Sequence, residues 1–501
     1  MCRTAVVSIP QYSARDKQEC ISQCGFTLFF ATLRQHHFSQ RTSTVDTHPQ
    51  SGFMPARWNA PRSMRRLRLL PLVAATYFMV SGGPYGLEDI VGQAGYARAL
   101  LLLCIVPFLW SLPTALMIGE LASALPEEGG FYIWVGRALG RFWGFQEAWL
   151  SLSASIFDMA IYPALAVAYL SQLDPALTAG HRGLVWSLAV ILICVLWNLR
   201  GAYSVGQGSL WMLALLLTPF LGILACGLWG IVTHPLQPAV FARPPHGSLV
   251  TAFLFVLWNY MGWDNASTIA REVEHPRKNY LRAMLAAVLL VAASYVLPIA
   301  VVALTGIPAS TFVTGSWVAV ARTLAATHFG ARFASWLAVA VVAGGALTGI
   351  AMFNALTLSY ARVPAAMAAD GLLPKVFARR LNNGVPWVAV LVCGVAWALA
   401  LGLNLTRLLE LDIMLYGLSL VLEFVALAVL RWREPTLARP FRIPGGRWMA
   451  AGIGIAPALL VFFTIYAARA DRLSPRVPAI LFGAIIVAAG LLMYGCTLRR
   501  K

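Results

Sequence analysis

The chain has 501 residues, of which 59% are apolar and only 12% are charged, and its formal net charge is +18. A soluble fold needs more polar surface than this, because globular proteins are about 25% charged. The composition therefore excludes soluble enzymes, nucleic-acid binders and disordered scaffolds, and it indicates a polytopic membrane protein. The eight cysteines contain no CxxC pair, so neither a zinc site nor a disulfide framework is predicted.

The first 68 residues differ from the rest of the chain because they are polar and irregular, with ten basic and three acidic residues. Their apolar run at 27–34 is too short to span a bilayer. We interpret residues 1–68 as a disordered cytoplasmic tail, with Met54 or Met64 as alternative translation starts. Residues 1–53 are accordingly expected to be dispensable. A transporter domain over 69–497 and a short basic tail over 498–501 complete the predicted organisation.

Apolar segments of spanning length begin at residue 69, and twelve can be counted. They centre on 69–92, 98–122, 142–170, 183–199, 206–232, 249–270, 281–305, 333–360, 386–404, 409–430, 448–468 and 477–497. Two further stretches, 126–140 and 309–328, are predicted to be helical without spanning.

The links between these segments alternate in basic charge. One side receives 24 lysines and arginines and the other receives nine, when the five basic residues of the far N-terminus are left out. Because cytoplasmic links carry the excess of basic residues, both termini are predicted to be cytoplasmic, in a plasma (inner) membrane protein.

Segments one and six are predicted to be interrupted. Segment one contains SGGPYG (81–86) and segment six contains NYMGWD (259–264), which a helix over 265–274 is expected to follow. Glycine and proline both disfavour a continuous helix. A matched pair of interrupted spans, in corresponding positions of two five-helix repeats, is typical of a transporter with a binding site near the bilayer midplane.

Several motifs together resemble the amino acid–polyamine–organocation superfamily. They are SGGPYGLED, ALPEEGGFYIWV, GFWGFQEAWLSLSASIFDMAIYP, WNYMGWDNASTIAREVEHPRKNY, DGLLPKVFARR and LEF…ARPFRIP. They are most similar to plant-type polyamine uptake transporters and their bacterial relatives. The resemblance implies an all-α protein with twelve transmembrane helices, a LeuT-like five-plus-five inverted repeat with two extra helices, and alternating access.

Carboxylates are unusually frequent inside the predicted spans. Seven of those that lie within spans or at their ends are singled out: Glu88, Asp89, Glu120, Glu147, Asp158, Asp264 and Glu423. No basic residue lies clearly in a span interior, so pairing with arginine cannot neutralise them all at that depth. An acidic interior of this kind favours a cationic substrate, a proton relay, or both. Glu120 lies at a helix end, where a structural salt bridge is the preferred interpretation.

The candidate site combines the two breaks with these carboxylates. Glu147, Asp158 and Tyr162 share one helix face by their spacing, and Asp264 is expected both to cap the helix after the break and to contact ligand. The predicted substrate-binding residues are Ser81, Gly82, Gly83, Pro84, Tyr85, Glu88, Asp89, Asp158, Tyr162, Trp258, Asn259, Trp263 and Asp264. Glu147 and Glu423 are assigned to proton coupling or gating.

The sequence favours a secondary-active permease that takes up polyamines or cationic amino acids, coupled to protons. Two alternatives stay open at this point: a general permease for neutral amino acids, held by the Gly82 and Gly83 amides, and a membrane amine sensor that transports nothing. Motifs of the types GxxxxGK[ST], HExxH and GxSxG do not occur in the sequence, so no enzymatic activity is predicted. The expected partners are a small cationic or zwitterionic molecule, protons and the lipid bilayer, with no nucleic acid, cofactor or metal.

Overall fold

The computed structural model of the chain describes residues 65–233, 247–402, 405–467, 472–474 and 477–499. Most of the predicted N-terminal tail and the last two residues therefore lie outside the described residues. Within these ranges the protein is almost entirely helical, with one pair of short antiparallel strands between the last two long helices.

The helices in the first half of the chain are α1 (Leu69–Val80), α2 (Glu88–Ala94), α3 (Tyr96–Val106), α4 (Leu112–Ala124), α5 (Phe131–Leu139), α6 (Arg141–Leu170), α7 (His181–Asn198), α8 (Ala202–Thr233) and α9 (Leu249–Asn259). A π-helical turn, Pro107–Ser111, joins α3 to α4. Short 3-10 turns follow at Pro175–Leu177, Trp263–Thr268 and Ala270–Glu272.

The second half contains α10 (Pro276–Ala303), α11 (Trp317–Phe329), α12 (Ala331–Tyr360), α13 (Arg362–Ala369), α14 (Trp387–Leu399), α15 (Leu405–Arg433), α16 (Gly446–Gly452), α17 (Ile455–Ala467) and α18 (Ala479–Arg499). The strands are β1 (Arg472–Ser474) and β2 (Val477–Pro478), and further 3-10 turns lie at Ala309–Thr311 and Lys375–Ala378.

Nine helices in the described part of the chain are long and apolar enough to cross a membrane. Three of the predicted spans hold shorter helices. Segments one and six contain only α1 and α9 before their breaks, and the ninth segment contains the 13-residue α14. The polytopic helical architecture is thus present, whereas the count of twelve spans stays a prediction. The helical stretches predicted at 126–140 and 309–328 correspond to α5 and α11.

The glycine-rich part of α12 packs against tyrosine rings. A Cβ at Gly344 would lie 2.1 Å from the Tyr85 hydroxyl oxygen, and one at Gly345 would lie 2.2 Å from Cγ of Tyr169. Observed Cβ contacts in proteins are longer than this. These two positions therefore require glycine, since a side chain would prevent the close approach of α12 to the tyrosine rings. This close packing places α12 beside the first break, where the candidate site lies.

Buried ion pairs join the helix ends on the side that is predicted to be cytoplasmic. The carboxylate of Glu120 binds the guanidinium groups of Arg431 and Arg439, and it accepts a hydrogen bond from the Ile443 N–H at 2.9 Å. Glu120 and Arg431 are fully buried. The structural role predicted for Glu120 is therefore confirmed, and this carboxylate takes no part in the candidate site.

Removing one partner of this network should destabilise the protein strongly. Glu120→Gln leaves the Arg431 guanidinium buried and unpaired, which typically costs about 3–5 kcal/mol. The matched control is Glu274→Gln, because Glu274 pairs with Arg68 across 3.7 Å at an exposed site and such pairs contribute about 0–1 kcal/mol. Thermal unfolding in detergent measures both variants, and equal losses of stability would contradict the expectation.

Candidate functional site

The first interruption lies between α1 and α2. Gly83 and Gly86 have φ angles of +71° and +87°, a backbone conformation that glycine adopts at little cost. The Gly83 N–H donates to Ser81 Oγ at 2.9 Å, and the Gly82 carbonyl accepts from Thr348 Oγ1 at 3.1 Å. These bonds satisfy backbone groups of the break within the protein, as a break at membrane depth requires.

The second interruption begins where α9 ends. Gly262 has a φ of +90°, and a Cβ at this position would lie 2.2 Å from the Met79 carbonyl oxygen of α1. The backbones of the two interrupted segments therefore approach each other so closely that only glycine fits at residue 262. The non-helical stretches of both segments therefore meet at Gly262, as the sequence pattern predicts.

The helix predicted over 265–274 is wrong, because this stretch forms two 3-10 turns. The Asn265 carbonyl accepts hydrogen bonds from the hydroxyl groups of Thr268 and Ser359, at 3.0 and 2.9 Å. Polar side chains thus bind a carbonyl that an α-helix would pair with an N–H. Asp264 lies inside the first turn and Gly262 takes the cap position, so the capping role predicted for Asp264 is also wrong.

A cavity lies where the two breaks meet. Its walls come from α1, α6, α9, α12, α15 and both breaks. The lining residues are Met79, Val80, Gly82, Tyr85, Asp158, Tyr162, Leu165, Trp258, Asn259, Met261, Gly262, Met352, Tyr360, Asp412 and Tyr416. Six of the predicted site residues are among them: Gly82, Tyr85, Asp158, Tyr162, Trp258 and Asn259. No lysine, arginine or histidine is found in this lining.

Asp158 of α6 is held by two aromatic donors. Its Oδ1 accepts hydrogen bonds from the Tyr162 hydroxyl at 2.5 Å and from Trp258 Nε1 at 3.3 Å. The Tyr162 and Trp258 rings are stacked, with centroids 6.1 Å apart. Because both bonds use the same oxygen, Oδ2 remains for a ligand in the cavity. A carboxylate beside electron-rich ring faces is a suitable environment for an ammonium group.

Asp412 of α15 is a second acidic residue in the lining, and the sequence analysis missed it. It is 2% exposed, and no hydrogen bond or ion pair to it is found within the described ranges. It interacts electrostatically with Asp158 and Asp264, which are acidic too. The sequence did hold a signal, because Asp412–Tyr416 repeats the Asp–x–x–x–Tyr spacing of Asp158–Tyr162 on another helix.

Asp264 does not line the cavity but is joined to it through Tyr416. The Tyr416 hydroxyl donates to Asp264 Oδ1 and accepts from the Gly262 N–H at 2.9 Å. Asp264 Oδ2 is buried without a hydrogen-bond partner among the described residues. The ring of Tyr416 thus contacts the cavity while its hydroxyl group lies between the second break and a buried carboxylate.

Glu147 and Glu423 are two further buried acidic residues, and neither belongs to the cavity lining. Both are fully buried, and none of their four carboxylate oxygens has a hydrogen-bond partner among the described residues. Glu423 interacts electrostatically with Glu147 and with Asp264. Each glutamate lies eleven residues from the aspartate of its own helix, which is about 16 Å along an α-helix at about 1.5 Å per residue.

Glu88 and Asp89 lie away from the cavity, contrary to the prediction that they bind substrate. Glu88 accepts hydrogen bonds from the Tyr169 hydroxyl and from the Gly315 N–H, the latter at 3.0 Å. Asp89 accepts from Thr314 Oγ1 at 2.6 Å. Both residues belong to α2, whose first turn directs them towards the stretch that precedes α11. Their contacts join the first break to that stretch.

Four other predicted residues are not in the lining either. Ser81, Gly83 and Pro84 shape the first break, and the Pro84 carbonyl accepts from Trp317 Nε1 at 2.8 Å. Trp263 is fully buried, and its indole N–H has no hydrogen-bond partner among the described residues. These four residues are close in sequence to lining residues but are not themselves part of the lining.

The similarity to known proteins identifies the family. The family model described as amino acid permease matches residues 73–491, which include both breaks and every cavity residue. The chain belongs to the amino acid permease family. This family lies within the amino acid–polyamine–organocation superfamily, so the resemblance drawn from the sequence motifs is confirmed.

Curated relatives of this permease carry transporter names. A probable polyamine transporter of Arabidopsis thaliana is 33% identical over 405 residues, which are 80% of this chain and 79% of the relative. Polyamine transporter PUT1 of Oryza sativa subsp. japonica is 32% identical over 406 residues, or 80% and 74% of the two chains. Serine/threonine exchanger SteT of Bacillus subtilis (strain 168) is 27% identical over 364 residues, or 71% and 80%.

The permease is therefore a multi-pass membrane transporter and not an enzyme. Nine of its described helices are long and apolar enough to cross a membrane. Its family and its curated relatives are transporters. A transporter needs a small-molecule site within the membrane domain. The cavity at the two breaks is the place in this fold where such a site is expected.

Proposed function

We propose that this permease takes up polyamines, or other organic cations such as cationic amino acids, by alternating access coupled to protons across the plasma membrane. The observation that carries the proposal is the cavity itself. Two aspartates, Asp158 and Asp412, line it beside five aromatic residues, and its lining contains no basic residue. The names of the plant relatives agree with an amine substrate.

Electrostatics favour a cation over a zwitterion. Two carboxylates near each other at low dielectric repel, so the empty cavity is unfavourable unless a cation or a proton compensates their charge. A diamine supplies two positive charges without adding a negative one. The carboxylate of an amino acid would need donors of its own, and the Gly83 N–H is already bonded to Ser81 Oγ.

The aromatic residues add an apolar wall to these charges. The stacked rings of Tyr162 and Trp258 and the side chains of Met79 and Met352 line the same cavity. Methylene groups between two ammonium groups can pack on such surfaces while the charges reach the carboxylates. A linear aliphatic amine fits this combination of surfaces.

A neutral amino acid permease is the second candidate function. The serine/threonine exchanger that shares 27% identity with this chain favours it, and Gly82 of the first break lines the cavity. In that case the substrate carboxylate would lie against backbone of the break, and the two aspartates would bind only one ammonium group. A membrane sensor that binds amines without moving them is a more distant possibility.

Counterflow in proteoliposomes separates these functions. Vesicles loaded with unlabelled putrescine should accumulate labelled putrescine, and external spermidine should compete, arginine should compete less well, and leucine should have little effect. Asp174→Asn is a suitable control, since Asp174 is an exposed acidic residue whose carboxylate accepts from the Ala176 N–H. Leucine counterflow without competition by putrescine would support the amino acid permease, and binding of putrescine without any counterflow would support the sensor.

A further inference from the structure

The segment that connects α15 to α16 and α17 is strongly basic. Residues 431–449 contain five arginines and a single glutamate. The helical stretches on either side, Leu408–Arg433 and Gly446–Ala467, are each long and apolar enough to cross a membrane. The chain therefore leaves the hydrocarbon region of the bilayer and returns to it within this segment, which lies at the level of the lipid headgroups.

Three of the five arginines have no acidic partner. Arg433, Arg442 and Arg447 are exposed and form no ion pair with a described residue. The other two arginines belong to the buried ion-pair network described above. Glu434, the one acidic residue of the segment, accepts hydrogen bonds from Nε and Nη2 of Arg137 at 2.9 and 2.7 Å. Three positive charges therefore remain without a counter-charge from the described part of the protein.

The basic surface continues onto α10. An added Cβ at Gly119 of α4 would lie 3.0 Å from Cδ1 of Leu281 and 3.5 Å from Cδ1 of Phe441, so these two side chains lie against the same point of α4. Arg282 follows the first of them and Arg442 follows the second, and both arginines are exposed. Two separate elements thus place uncompensated positive charge on the same side of the membrane domain.

Two tryptophans accompany these arginines. Trp432 lies in the last turn of α15 and Trp448 lies in α16, and their rings meet edge to face with centroids 5.8 Å apart. They are 39% and 81% exposed, so most of the Trp448 ring is not covered by protein. Tryptophan is enriched where a membrane meets water. Arg433 follows the first tryptophan and Arg447 precedes the second, which places cationic and aromatic groups side by side.

We propose that this basic–aromatic surface, formed by Trp432, Arg433, Arg442, Arg447 and Trp448, binds the headgroup of an anionic phospholipid. Guanidinium groups form paired, charge-assisted hydrogen bonds with phosphate oxygens, and indole rings pack at the boundary between headgroups and acyl chains. A phospholipid engages both features, whereas inorganic phosphate engages the arginines alone. The headgroup must carry a net negative charge, because the cationic amine of a zwitterionic lipid opposes the attraction of the phosphate to the arginines.

The test measures lipid binding alone and does not depend on which substrate is carried. Wild-type protein in a neutral detergent is titrated with phosphatidylglycerol and, separately, with phosphatidylcholine of the same acyl chains, and native mass spectrometry counts the bound lipids. The wild type should bind phosphatidylglycerol at least tenfold more tightly than phosphatidylcholine. This preference should decrease as the ionic strength is raised, because salt screens exposed charges.

Variants of the surface show where the lipid binds. Arg442→Gln/Arg447→Gln should weaken phosphatidylglycerol binding about thirtyfold, since each arginine near an anionic lipid contributes about fivefold in affinity. The matched control is Arg322→Gln/Arg332→Gln, which removes the same charge from exposed arginines on the predicted opposite side of the membrane and should bind like the wild type. Trp448→Ala should lose affinity several-fold, and Trp448→Tyr, which keeps an interfacial aromatic ring, should retain it.

Several results would overturn the proposal. Equal binding of the two lipids by the wild type would do so, and this measurement needs no variant to fold. Equal binding of phosphatidylglycerol by the surface variant and the control variant would also contradict it. Displacement of the lipid by millimolar inorganic phosphate would assign the surface to free anions, and displacement by polyglutamate would assign it to an acidic protein. Failure of putrescine counterflow would instead overturn the proposed substrate and leave the lipid result standing.

Discussion

Asp158→Asn and Asp412→Asn are each expected to weaken the apparent affinity for putrescine about ten- to hundredfold. Each substitution removes a charge-assisted interaction with an ammonium group, normally worth about 1.5–3 kcal/mol, and about 1.4 kcal/mol corresponds to a factor of ten. Uptake into proteoliposomes at fixed pH and membrane potential measures the effect. The exposed Asp174→Asn serves as the control and should leave the affinity unchanged.

The same two variants separate the candidate substrates. Leucine carries one ammonium group and, in the alternative function, is anchored mainly through its carboxylate at the first break. It should therefore lose less affinity than putrescine when Asp158 becomes asparagine. Equal losses for both compounds would indicate a role of Asp158 in proton coupling or folding. Tight leucine transport without putrescine competition in the wild type would overturn the polyamine proposal.

The double variant Asp158→Asn/Asp412→Asn tests whether a single ligand contacts both aspartates. If one diamine contacts Asp158 and Asp412 at the same time, the two losses should not be additive, because the first substitution already frees one end of the ligand. If the two aspartates act on separate ligands, the losses in free energy should add. A double-mutant cycle with putrescine, and a second one with a monoamine of similar length, distinguishes these cases.

The positions of the breaks were predictable because they depend on local chemistry. Glycine and proline in SGGPYG and glycine in NYMGWD disfavour a helix wherever they occur, and the described helices end at Val80 and Asn259. The apolar runs likewise predict the helices, since a bilayer selects length and composition. These features need no knowledge of which residues meet in space.

The composition of the cavity was only partly predictable, since it depends on tertiary contacts. Asp412 lies near the start of α15, close in sequence to Glu410 and Arg407. The sequence alone therefore does not distinguish it from an ordinary acidic residue at a helix end. Glu88 follows the first break directly and reads as a cavity residue, yet its partners Tyr169 and Gly315 are more than 80 and 220 residues away. Contacts over such separations are not encoded in local spacing.

Substitutions at the glycines of the breaks are expected to abolish transport while leaving the protein folded. In Gly83→Val, a φ of +71° must be adopted by a β-branched residue, and its Cβ would lie 2.6 Å from Cδ2 of Leu216. A left-handed conformation alone costs such a residue about 1–3 kcal/mol. In Gly262→Ala the Cβ would lie 2.2 Å from the Met79 carbonyl oxygen, which is backbone and cannot rotate away.

Two other glycines provide matched controls for this prediction. Gly86 has a φ of +87° in the same break but has nothing within 4 Å of an added Cβ, and Gly452 has open space and an ordinary φ. Gly452→Ala should transport normally, and Gly86→Ala should show the cost of the backbone conformation without any crowding. Gly83→Val and Gly262→Ala should remain monodisperse in detergent and bind no putrescine. Wild-type affinity in either one would mean that the breaks are simple kinks, because a site built on the contact between two interrupted segments cannot accept a side chain at that contact.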